Sequence, residues 1–161
     1  MFDALFTTTT EYKKLSHALS GKGACALFGL PGSGRAQVYA ALCRQVDKPL
    51  CIVTPGEAEA TRFAADLNTL GIPAAVFPAR DYVLRPIEGT AREYEYRRLA
   101  VLGELVGGRL RAVAVPAEAL TQFTTPKEDF CANTRTLHAG DTLLRDDLLA
   151  ALFGAGYTRR A

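Results

Sequence analysis

The stretch Gly29-Leu30-Pro31-Gly32-Ser33-Gly34-Arg35-Ala36 has the residue types and spacing closest to a known chemistry in this chain. Gly29 and Gly34 stand where the two glycines of a phosphate-binding loop, G-x-x-x-x-G-K-[ST], would stand. Such a loop joins a strand to a helix. Its glycines let backbone N–H groups turn inward around phosphate oxygens, and the helix N-terminus adds positive potential. The loop lysine reaches the β and γ phosphates, and the Ser/Thr hydroxyl ligates magnesium. The candidate phosphate-loop residues are therefore Gly29, Gly32, Ser33, Gly34 and Arg35. Two substitutions change the chemistry. Arg35 occupies the lysine position, and a long planar guanidinium does not replace an ammonium folded back over phosphate. Ala36 occupies the hydroxyl position and cannot ligate a metal.

A nucleotide hydrolase also needs an apolar strand ending in Asp or Asp-Glu to hold magnesium. "AVAV" runs into Pro116 and Ala117, "LCIV" runs into Thr54 and Pro55, and Asp81 comes four residues after "AAVF". A site lacking both magnesium ligands loses the charge neutralisation that drives phosphoryl transfer. The loop is read as structural, with weak binding of bare phosphate or sulfate left open. No Ser–His–Asp, GxSxG or HExxH arrangement appears, so no catalytic residue is assigned. His17 and His138 are given no role. The four cysteines, Cys25, Cys43, Cys51 and Cys131, form no CxxC pair. They read as buried thiols of a reducing cytoplasm, with no metal site.

The elements that must position the loop follow from periodicity. The runs "ACALF" (24–28), "LCIV" (50–53), "AAVF" (74–77) and "AVAV" (112–115) are continuously apolar, as in strands buried on both faces of a parallel sheet. Helical patterns separate them. Val38, Ala41, Leu42, Gln45 and Val46 form one stripe; Ala60, Phe63, Ala64, Leu67 and Leu70 form another, stopped by Gly71. A longer helix is predicted from a capping box at Thr90 and Glu93, with Leu99, Leu102 and Val106 on its apolar face and Gly107-Gly108 at its end. An earlier helix near residues 11–19 is capped by the last member of "TTTT". This alternation predicts an α/β fold: a P-loop-like parallel sheet with helices on both faces, over residues 1–125.

"TQFTTPKEDF" reads as a linker. After it, residues 126–161 hold a possible strand, "TRTLHA", a turn at Gly140-Asp141, and a helix carrying Leu148, Leu149, Leu152 and Phe153 that stops at Gly154 or Gly156. One strand and one helix cannot close a core, so this segment reads as the start of a small second α+β domain whose remainder is missing.

Composition narrows the function classes. Apolar residues make up 48% and charged residues 22%, which excludes wholesale disorder. No apolar run approaches the ~20 residues needed to span a bilayer, and the N-terminus has no signal-peptide pattern. A net charge of +2 does not by itself imply nucleic acid. Fourteen of the 19 basic residues are arginine, which favours interaction surfaces. Seven lie between Arg80 and Arg111 beside Tyr82, Tyr94 and Tyr96, but five acids interleave them. Glu93 and Arg97 form a favourable i,i+4 pair, so a solvated, salt-bridged helix is preferred to a nucleic-acid surface.

The succession of the glycine loop, "CIVTP", "FPARDYVLRPIEGTAREYEYRRLAVL" and "VAVPAEALTQ" resembles the N-terminal UvrB-like module of bacterial transcription-repair coupling factors. The resemblance runs from about Gly29 to the end, and "FPARD…EGTAREYEYRR" is its most specific part. It implies a non-catalytic module with a degenerate phosphate loop and no cofactor of its own. ATP and magnesium belong to a helicase-type motor elsewhere in the parent protein, a DNA-translocating hydrolase. The implied partners are UvrA and other domains of the parent, while RNA polymerase and DNA bind outside these residues. The implied location is the cytoplasm. Residues 136–160 would open the UvrB-like second domain, where the family contacts UvrA, and Arg159 is the one candidate on that surface. The alternatives are an atypical P-loop ATPase and a nucleic-acid-binding module.

Overall fold

In the computed structural model the described residues are 7–21, 24–80 and 93–159. The chain divides into two compact units, Met1–Gln122 and Phe123–Ala161.

The first unit is built on three parallel strands, β1 (Leu50–Thr54), β2 (Ala74–Val76) and β3 (Ala112–Pro116), in the order β1-β3-β2. The register pairs Leu50 with Ala112 on one side of β3 and Ala74 with Ala112 on the other. Every residue of the central strand is buried, as its unbroken apolar sequence requires. Alternate β3 side chains feed two cores. Ala112 and Ala114 pack with Ile52, Ala60, Phe63 and Leu67; Val113 and Val115 pack with Phe77, Val101 and Leu110. Helices α2 (Gly32–Gln45) and α3 (Glu57–Thr69) supply the first core, and α4 (Glu93–Val106) with the short α5 (Ala117–Leu120) supplies the second. The sheet is thus covered by helices on both faces.

Helix α2 is buried on two sides. Ala36, Ala40 and Cys43 face the sheet, and Val38, Ala41 and Leu42 face Tyr12 and Leu15 of α1 (Thr10–Ser20). The predicted stripe is the α1-facing one. The sheet-facing stripe is made of small residues, which let the helix axis approach closely but leave a weak periodic signal. Burial pushes the Cys43 thiol up, against a smaller opposing effect of the Arg111 and Arg44 charges. Helix α3 buries Ala60, Phe63, Ala64 and Leu67 as predicted and stops at Gly71, whose φ of 75° is a left-handed conformation that glycine adopts without a Cβ penalty. Asn68 ties its end to β2, donating to Ala74 O at 2.8 Å and accepting from Ala74 N at 3.1 Å.

Arg111, just before β3, donates to the carbonyls of Cys43 and Val46, and to that of Asp47 at 3.0 Å. The Cys43 and Val46 carbonyls are among those that a helix C-terminus leaves without partners, and a cation there also meets the negative end of the dipole. Arg111→Ala should therefore cost about 1.5 kcal/mol in urea unfolding, and Arg111→Lys less, because the charge persists without the planar fork.

Several predicted elements differ. "ACALF" is not a strand: Ala24–Phe28 lies outside the sheet, with Leu27 44% and Phe28 87% exposed. β1 is therefore an edge strand, and only Ile52 and Thr54 are buried, while Cys51 and Val53 are exposed. That corrects the cysteine reading too, since Cys25, Cys51 and Cys131 are exposed and only Cys43 is buried. The cap of α1 is Thr9, whose Oγ1 accepts from Tyr12 N at 3.2 Å, one residue before the predicted cap. Thr90 lies outside the described residues, and Leu99 and Val106 of α4 are 46% and 45% exposed. Arg98 and Val101 are buried, with Leu102 and Leu105 half-buried beside them, so Leu102 packs inward as predicted while the rest of the inner face is turned by about one residue.

In the second unit the linker reading fails at Lys127, where Pro126 starts α6 (Lys127–Asn133). "TRTLHA" forms no strand, since no partner strand pairs with it among the described residues. The turn at Gly140-Asp141 is present, with Asp141 Oδ2 accepting from His138 N at 2.8 Å. The predicted leucine-rich helix is α7 (Arg145–Gly154). Neither α6 nor α7 buries a residue. Among the described residues no helix is long and apolar enough to cross a membrane.

Candidate functional site

The glycine loop is shorter than its sequence spacing suggests. Gly29 turns the chain with φ 82°, a conformation costly for any residue with a Cβ. Pro31 is already the N-cap of α2, with φ −65° preset for a helix start. Gly32, Ser33 and Gly34 are therefore wound into the first helical turn. Arg35 N donates to Pro31 O at 3.1 Å, so the amide at the lysine position is held inside the helix. A phosphate cradle needs these amides pointing at the ligand. Ala36 is 2% exposed and faces the sheet among Ala40, Cys43 and Ile52. The position that would carry the magnesium hydroxyl is a packing position.

The structure brings three unpredicted charged residues beside the loop. A cavity of about 270 Å³ is lined by Gly32, Ser33 and Arg35 from α2 and by Glu59, Arg62, Phe63 and Asp66 from α3. The three α3 charges fall at i, i+3 and i+7, a spacing legible in the sequence had α3 been read for its outer face as well as its core face. Glu59 and Asp66 lie two turns apart, about 10 Å along the helix, too far to ligate one magnesium ion together. Among the described residues, those beside the loop do not offer one magnesium ion two carboxylates.

A second constellation sits on the opposite face of the sheet. Arg98, 3% exposed, lays its guanidinium 4.0 Å from the Phe77 ring centroid. Its Nη1 donates to Pro78 O at 2.8 Å and to Gln122 Oε1 at 3.1 Å. Gln122 in turn clamps Arg80, accepting from Arg80 N at 2.7 Å and donating to Arg80 O at 2.9 Å. Burial, and then the Arg80 charge, pull the Arg98 pKa below its ordinary value, though the group stays cationic at neutral pH. Arg97, next in sequence, points outward and pairs with Glu93 at 2.5 Å, as predicted. Phe77, Pro78, Ala79 and the last arginine of "EYEYRR" thus form one buried joint, with exposed Arg80 and half-buried Gln122 at its rim. The intervening residues 81–92, with Tyr82, lie outside those described. Arg159 is exposed beyond α7 in the second unit.

A transcription-repair-coupling factor of Bacillus subtilis (strain 168) is 27% identical to this chain over 135 residues, 83% of this chain and 12% of that protein. The UvrABC system protein B of Renibacterium salmoninarum is 25% identical over 155 residues, 87% of this chain and 22% of that protein. The chain thus resembles UvrB-like repair proteins over most of its own length. It spans less than a quarter of the length of either curated relative. No protein-family model matches the module, and no solved structure matches it significantly.

Proposed function

We propose that this chain is the non-catalytic N-terminal module of an ATP-dependent transcription-repair coupling factor, a DNA-repair protein that displaces stalled RNA polymerase at lesions and recruits UvrA for nucleotide excision repair. The module serves UvrA recruitment and interdomain scaffolding. ATP and magnesium act at a motor elsewhere in the parent protein. The observation that carries this reading is the wound-in glycine loop: the Arg35 amide bonds Pro31 O, and Ala36 is packed against the sheet. A fold that keeps the turn but spends the Arg35 amide and the hydroxyl position on helix and core is suited to presenting surfaces. The second unit supports the partner role, because Leu144, Phe153 and Tyr157 are exposed at 72%, 55% and 64%. Arg159 is the candidate contact residue there.

Calorimetric titration with Mg-ATP should give no saturable heat. Saturable, magnesium-dependent binding that is lost in Arg35→Ala would overturn the non-catalytic reading. Co-elution with purified UvrA tests the partner, with Arg159→Ala expected to weaken it roughly tenfold, as for one desolvated charged contact. Absence of co-elution would remove the UvrA assignment and leave the scaffolding role.

A further inference from the structure

We propose that the groove between α2 and α3 is a docking site for a partner protein's helical segment bearing a basic-acidic-basic stripe. The groove is independent of the surface assigned to UvrA above. Its floor is the buried Phe63, and its walls carry Arg35 and Arg62 against Glu59 and Asp66. Among the described residues none of these four side chains has a hydrogen-bond or ion-pair partner, although Arg62 sits three and four positions from the two acids on the same helix. Glu59 and Asp66 are half-buried. A half-buried carboxylate without a cation costs stability, and an incoming cation recovers that cost.

The pattern chooses the occupant. The two acids repel phosphates, so the paired arginines do not make a nucleic-acid surface. The four charges sum to zero, which leaves no general field and makes recognition depend on register. Along α3 the order is acidic, basic, acidic, and the complement is basic, acidic, basic at the same helical spacing. A second cavity of about 170 Å³ shares Ser33 and Asp66 with the first and continues to Leu70. The groove therefore follows α3 from Glu59 to Leu70, about 16 Å, or three helical turns. Its far end, at Leu70, suits an apolar side chain of the same docked helix.

The test uses the whole chain and two synthetic helical peptides of equal length, balanced to the same net charge by residues on the far face. One carries Arg, Glu, Arg at i, i+3, i+7 with a leucine one turn on; the other carries Glu, Arg, Glu. Fluorescence anisotropy at low salt should show the first peptide binding at least ~10-fold more tightly than the second. The triple variant Glu59→Arg, Arg62→Glu, Asp66→Arg, with its fold verified by circular dichroism, should invert that preference. Equal binding of the two peptides, no binding of either, or a preference untouched by the triple variant would each overturn the proposal. So would tighter binding of a labelled DNA duplex than of the first peptide.

Discussion

Arg98→Leu should lower the unfolding free energy by about 3 kcal/mol, while Arg97→Leu one position away should change it by no more than about 0.5 kcal/mol. Two effects compete at Arg98. Desolvating a guanidinium is costly, and replacing buried ions by apolar groups of similar volume is often neutral. Here the neutral outcome is blocked, because Pro78 O and Gln122 Oε1 are oriented toward Nη1 and leucine offers them nothing. Pro78 O left buried without its charged donor costs about 1–3 kcal/mol, Gln122 Oε1 loses one of two donors and keeps Arg80 N, and the ring contact with Phe77 adds about 1 kcal/mol. The hydrophobic gain of leucine offsets only part of this. Arg97 pairs with Glu93 at the surface, where such pairs contribute little. Urea unfolding of both variants decides the matter, and equal midpoints would sink the buried-joint argument. Gln122→Ala should show part of the same loss, since it frees both Arg80 backbone groups and one Arg98 donor.

The contrast between these neighbouring arginines also marks the limit of what sequence shows. Periodicity located β1, β2, β3 and the core face of α3, because long runs of apolar residues are produced by burial and by little else. It misplaced the inner face of α4 because Arg98 was counted as polar, and nothing local distinguishes an arginine that lies over Phe77 from one that faces water. The joint depends on residues 20 and 24 positions away, Pro78 and Gln122, which no window of helical length contains. Ala24–Phe28 failed for a different reason. An apolar run predicts burial only if a neighbouring strand accepts it, and β1 is the edge of the three-stranded sheet. The chemistry of the glycine loop was legible where it depended on side-chain identity, at Arg35 and Ala36. The early start of α2 at Pro31 was not, although Pro31 itself is the kind of residue that begins a helix. The charged groove escaped because α3 was read only for its buried stripe.

Restoring the working-loop residues should not restore the chemistry. The double variant Arg35→Lys, Ala36→Thr is expected to lose roughly 2–3 kcal/mol of stability and to gain no Mg-ATP binding. Lysine at position 35 is harmless, since the side chain is exposed and the helix tolerates it. Threonine at position 36 is the damaging half. Ala36 lies on the face where α2 meets Ile52, Ala112 and Ala114, and an added methyl and hydroxyl must displace atoms already in contact. The hydroxyl can recover one hydrogen bond by turning to the carbonyl four residues back, which is the helical escape open to threonine. That bond points the oxygen along the helix, away from any phosphate position. Overpacking then decides the sign, and the rest of the loop stays wound because Arg35 N remains bonded to Pro31 O. Arg35→Lys alone should match the unmodified chain within about 0.5 kcal/mol, which assigns the loss to position 36. A double variant that unfolds at the original urea midpoint and binds Mg-ATP would show that the loop can open, and that side-chain identity alone had silenced it.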